Sequence, residues 1–196
     1  MAIKHGASAL GLVSRMPSGP GVISEEEIAE IARNIPPPIS TFLLTSKTTV
    51  EEIAVQVIRC RTDTVQICDR LEGSHEDLRN EIPGVRIVQA VHVSDEASVD
   101  EAVEIAQFVD ALLLDSGNQS LEVKELGGTG RTHDWSLSKR IVELVGRPVF
   151  LAGGLNASNV ADAISAVKPF GLDLCSSVRT GGKLDESKLS AFFASI

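Results

Sequence analysis

Asp115 closes the run ALLLD. A carboxylate at the C-terminal end of a buried strand stands where it can give or take a proton at the rim of a sheet. The same residue could instead cap a turn through its own backbone. Gly153-Gly154 follows the apolar run VFLA and precedes Asn156 and Ser158, either of which can open a helix. Glycines there let backbone N–H groups approach an anion, and a helix N-terminus adds partial positive charge. A tight turn needing positive φ would use the same pair. Ser176-Ser177 follows Cys175 at the end of the next apolar run; hydroxyl residues suit phosphate oxygens and also suit an ordinary loop start. Gly127-Gly128-Thr129-Gly130 could form an anion-binding nest or a lid. Taken together, the two late loops point to a phosphorylated small molecule bound beside a carboxyl group.

Other chemistries find less support. His5, His75, His92 and His133 are scattered, without HxH or HExxH spacing, and Cys60, Cys68 and Cys175 make no CxxC pair, so no metal site is expected. Sparse, unpaired cysteines suit the reduced thiols of a cytoplasm. Cys68, at the end of a buried run, reads as an inert core thiol, and Trp135 as packing at a helix start. The formal net charge of −9 disfavours nucleic acid as a partner. No apolar run reaches membrane-spanning length, so no membrane partner is expected.

The elements that must position these residues alternate along the chain. Apolar runs at Ala9–Val13, Thr41–Thr45, Thr64–Cys68, Arg86–Val91, Ala111–Asp115, Val149–Ala152 and Gly171–Cys175 read as strands. Most are apolar on both faces, as buried parallel strands are. Ser24 with Glu27 and Thr49 with Glu52 are capping boxes, and Asp134, Ser158 and Asp185 can cap later helices. Seven such alternations with no dividing linker predict one α/β domain over 1–196. The glycine-rich turns come late rather than after the first strand, which favours a (β/α) barrel over a doubly wound sheet. At 196 residues the chain is short for a closed eight-fold barrel of about 250 residues.

LLLDS at 112–116, GGTGRTHDWSL at 127–137, FLAGGLNASNVADAI at 150–164 and KPFGLDLCSSV at 168–178 together resemble the phosphoribosylanthranilate isomerase family. GASALGLV, ISEEEI and DTVQIC match more loosely, in register. The resemblance implies a TIM-type barrel and an Amadori rearrangement in tryptophan biosynthesis. The substrate's own nitrogen is the electron sink there, so no cofactor is implied. It implies that Asp115 is the general acid and that Gly154 and Ser176, with Gly128, Gly153 and Ser177, contact phosphate. The family's base is a cysteine in a KxCG motif on the first strand. That motif is absent here, and Met1 falls within what would be the first helix. The expectation is therefore a barrel lacking its first strand, binding phosphosugar better than it turns it over. The alternatives are a non-catalytic phosphosugar-binding relative, or an isomerase of another phosphosugar. In place of the family's Ser-x-Arg loop the chain reads RMPSGPGVIS, where Arg15 could substitute, and after Ser176-Ser177 come Val178 and Arg179. The resemblance is compatible with a monomer or a homodimer.

Overall fold

The computed structural model describes residues 1–117, 126 and 133–196. Seven parallel strands lie side by side in chain order: β1 Ala9–Val13, β2 Ser40–Thr45, β3 Thr64–Ile67, β4 Arg86–His92, β5 Ala111–Asp115, β6 Val149–Leu151 and β7 Gly171–Leu172. Helices α1 Glu25–Asn34, α2 Val50–Cys60, α3 His75–Glu81, α4 Glu96–Ile105, α5 Trp135–Leu144 and α6 Val160–Val167 connect successive strands, and α7 Glu186–Phe193 follows them. This is an α/β sheet of the TIM-barrel-like kind.

Side chains alternate across the strands, and each face has its own apolar layer. Leu12, Leu43, Val65, Ile67, Leu112, Leu114 and Leu151 point outward into one core with Ile28, Ile53, Leu78, Ile141 and Val160 of the helices. Val88, Ala90, Ala111, Leu113 and Ala152 point inward, with Phe42 and Phe150 packed against them. The Phe42 and Phe150 rings meet edge to face with centroids 5.8 Å apart, although β2 and β6 are four strands apart. In a flat sheet that separation would be roughly 19 Å. The sheet is therefore curled, with the rings filling its hollow. β1 and β7 are its two edges, and the inward-facing Gly11 of β1 is exposed.

Local signals account for most helix starts. Ser24 and Glu27 make the reciprocal capping box. Thr49 accepts the N–H of Glu52, Asp134 that of Ser136 and Asp185 that of Lys188. Helix α6 departs from expectation. Ser158 does not cap it: its N–H and hydroxyl both donate to Asn156 Oδ1, and Asn159 takes the N-cap position while its own Oδ1 accepts the N–H of Asn156. The last strand is also shorter than its apolar run. Pairing stops at Leu172 because its neighbour β6 turns away at Gly153 and Gly154, with φ of 83° and 65°. Beyond it, β8 Arg179–Thr180 and β9 Lys183–Leu184 form an antiparallel hairpin around Gly181-Gly182, a feature absent from the sequence reading.

No helix among the described residues is long and apolar enough to cross a membrane.

Candidate active site

Leu114 pairs with Leu151 and Leu151 with Leu172, all three facing outward. The residues that follow them, Asp115, Ala152 and Asp173, therefore share one level on the inner face. They line one pocket with Gly153, Gly154, Ser176 and Ser177. The structure thus brings together five residues singled out from the sequence: Asp115, Gly153, Gly154, Ser176 and Ser177.

Asp115 is 4 % exposed and its Oδ1 accepts the N–H of Ser116 at 2.7 Å. Gly153 has no alternative here. A Cβ on it would lie 2.9 Å from Ser116 Oγ and 3.1 Å from Asp115 Oδ1, at a φ that L side chains rarely adopt. The Gly154 carbonyl accepts the side-chain amides of Asn156 and Asn159, which pins the turn. A 3-10 turn starts at Ser176, so its first N–H groups have no acceptor within the turn.

Asp173 was not anticipated. Burial and then the charge of Asp115 push its carboxyl up to about 6. The sequence carried a signal for it: in GLDLC it stands at the end of an apolar run, as Asp115 does in ALLLD.

Two of the thiols, Cys68 and Cys175, lie at or near the site, and burial keeps both protonated. Burial pushes Cys68 up to about 12, further than the Gln66 amide on its sulfur can offset. Burial likewise raises Cys175. His92 sits inward on β4, opposite Asp115 in register, with Nε2 on the Cys68 carbonyl at 3.2 Å. Burial lowers His133, against the opposing charges of Asp115 and Asp134, and its Nε2 lies 2.6 Å from Ser138 Oγ.

Arg15 is exposed and is not among the residues lining the pocket; its carbonyl accepts the Ser46 hydroxyl. Another cation lies across the rim. The Arg179 guanidinium covers Gly21, where a Cβ would be 2.9 Å from Nη2, and its Nε is buried without a partner. Nearby, Cys175 Sγ approaches the Pro20 carbonyl at 3.9 Å. The loops after β1 and β7 therefore touch above the sheet edges. Gly128 lies outside the described residues. No cluster of three or more metal-ligating side chains occurs among the described residues.

The family model for N-(5′-phosphoribosyl)anthranilate isomerase matches residues 2–195. The isomerase 2 of Methanosarcina mazei is 36% identical over 195 residues, which cover 98% of this chain and 85% of that protein. The isomerase of Methanothrix thermoacetophila is 35% identical over 192 residues, covering 97% and 88%. Among solved structures, phosphoribosylanthranilate isomerase from Thermotoga maritima superposes with a TM-score of 0.80 at 29% identity, over 99% of this chain and 90% of that one. A phosphoribosylanthranilate isomerase in complex with reduced 1-(o-carboxyphenylamino)-1-deoxyribulose 5-phosphate gives 0.78 at 27%, over 99% and 89%. This chain belongs to the N-(5′-phosphoribosyl)anthranilate isomerase family.

Proposed function

We propose that the chain is a phosphoribosylanthranilate isomerase of tryptophan biosynthesis, an aldose–ketose isomerase of the cytoplasm, built as one domain over 1–196. The observation that carries the site assignment is the convergence of Asp115 with the Gly153-Gly154 and Ser176-Ser177 turns in one pocket. In this reading the turns hold the phosphate of N-(5-phosphoribosyl)anthranilate, with Gly128 as a further contact. A phosphate there meets backbone N–H groups and hydroxyls rather than a cluster of lysines. Asp115 protonates the ring oxygen, the C1′–O bond breaks, and the nitrogen lone pair forms the iminium. Removal of the C2′ proton then gives the enol, which becomes the aminoketose. No cofactor enters this sequence, because the nitrogen itself stores the electrons.

Arg179 offers the rim its cation, across the gap from the loop where the resemblance led to Arg15. Arg15 and Arg179 are the two candidates for the substrate's acidic groups, and neither is among the residues lining the pocket of the two turns. The space between β1 and β7 is the place for an eighth parallel strand, and a base carried there would face the same hollow. The chain acts as a monomer or a homodimer.

Asp115→Asn tests the assignment. Isomerase turnover should fall by about 10²–10⁴-fold, as expected for loss of a positioned acid, while inorganic phosphate binds with nearly unchanged affinity. Undiminished turnover would remove Asp115 from the mechanism.

A further inference from the structure

The isomerase reading, on which this inference rests, gives the substrate two anionic ends: a phosphate and, across the sugar, the carboxylate of the aminobenzoate ring. The turns after β6 and β7 take the first. The second needs a local cation outside their pocket, because a net charge of −9 offers no diffuse positive field. Among the cations in the described segments that follow the strands, Lys47 is paired with Glu52 at 2.8 Å and Arg70 with Glu101 at 3.0 Å. Arg15 and Lys183 are exposed. Arg179 is half-buried, and its Nε has no partner.

We propose that Arg179 takes the substrate's carboxylate and so sets a preference for an aminobenzoate over an uncharged aryl amine. The guanidinium is held from two sides. Nη1 donates to the Gly182 carbonyl at 2.8 Å, within the β8–β9 hairpin. The Arg179 backbone is fixed by its pairing with Leu184 and by the Lys188 ammonium, which donates to its carbonyl at 2.7 Å. Across the gap the guanidinium lies on Gly21, where a Cβ would come within 2.9 Å of Nη2 and 3.2 Å of Cζ at a φ of 88°. A side chain at that position would unseat it. A cation fixed before its ligand arrives loses little freedom on binding.

The open edge of the fork suits a carboxylate. Nη1 is engaged by Gly182, whereas Nε is buried without a partner. Nε and Nη2 together form the side of a guanidinium that meets two carboxylate oxygens in parallel. A buried donor left unsatisfied is a cost that an incoming acceptor removes.

The place also fits a substrate with an anion at each end. Cys175 lines the pocket of the two turns, and its Sγ approaches the carbonyl of Pro20, the residue before Gly21. Burial raises the Cys175 thiol, and the nearby charge of Arg179 partly opposes that rise. The guanidinium therefore stands just beyond the phosphate pocket, on the far side of Cys175.

Calorimetric titration of the full chain with two ligands tests the assignment. One is reduced 1-(o-carboxyphenylamino)-1-deoxyribulose 5-phosphate, and the other is the same compound with hydrogen in place of the carboxyl. The unmodified protein should bind the first about 10–100-fold more tightly, the scale of a bidentate charged pair. Arg179→Gln should bind the two alike, with the loss confined to the first compound. The second compound and inorganic phosphate should keep their affinities, and Arg15→Gln should keep the preference. A preference retained in Arg179→Gln, or lost in Arg15→Gln alone, would overturn the proposal. Equal weakening of all three ligands in Arg179→Gln would make the arginine structural and overturn it as well. So would equal binding of the two compounds by the unmodified protein, which leaves the isomerase reading standing. Binding of neither compound would bring down that reading and this proposal together.

Discussion

At Asp173 the burial of a carboxyl works against the fold. Its carboxyl is raised from 3.8 to about 6 in the folded protein, by burial first and Asp115 second. Between these values the folded state holds a proton that the unfolded chain releases, so stability falls as pH rises through this window. Above it the penalty is complete, at most about 3 kcal/mol for a shift of roughly two pKa units. Asp173→Asn removes the ionisation. The variant should melt higher than the unmodified protein at pH 7.5, and the advantage should vanish near pH 4. Calorimetry at both pH values checks the sign, and a variant less stable at pH 7.5 would show that the carboxylate is not strained there. Asp115 was legible in the sequence because it ends a long apolar run. Asp173 was harder to read, since GLDLC is short and its strand pairs over two residues. The cation at the rim was harder still. Arg179 reaches Gly21 across more than 150 positions of sequence, and no local pattern encodes that contact.

At the scale of elements, strand order and helix positions follow from alternation and caps. What escaped the sequence was side-chain competition and small late structure. Ser158 loses the α6 cap to Asn159 because Asn156 captures its hydroxyl. The β8–β9 hairpin is two residues a side, below any periodicity. Helices α3 and α4 carry caps, Ser74 and Asp95, that were not singled out. At the end of the sheet opposite the pocket, Asp63 ties β2 to β3. It accepts the Thr41 N–H at 2.8 Å and the Thr41 hydroxyl at 3.0 Å, and bonds Ser40 as well. Burial raises this carboxyl, but the hydrogen bonds from Ser40, Thr41 and Thr64 outweigh it and hold it below its ordinary value. Asp63→Ala should cost about 1–2 kcal/mol, the scale of one or two partly exposed hydrogen bonds, with turnover unaffected because the site is at the far rim. Urea denaturation together with an isomerase assay separates the two effects. A loss of turnover without a loss of stability would contradict this division of labour between the rims.

For the whole molecule, the decisive feature is the seam between β1 and β7. Both edges are parallel strands, and such edges normally lie inside a sheet. A strand bearing KxCG, joined ahead of residue 1 by a linker, should raise the melting temperature and increase turnover while leaving phosphate affinity unchanged. Tighter phosphate binding with no gain in melting temperature would mean that the seam does not accept a strand. The contact between Phe42 and Phe150 explains why affinity should be indifferent. Those rings bridge the hollow from the second strand to the sixth, so the bend is enforced by packing inside the cup and not by hydrogen bonds closing its wall. A wall whose curvature comes from what it encloses keeps its shape whatever lies beside β1 and β7, so the turns after β6 and β7 are set by the packing of the two rings in the hollow.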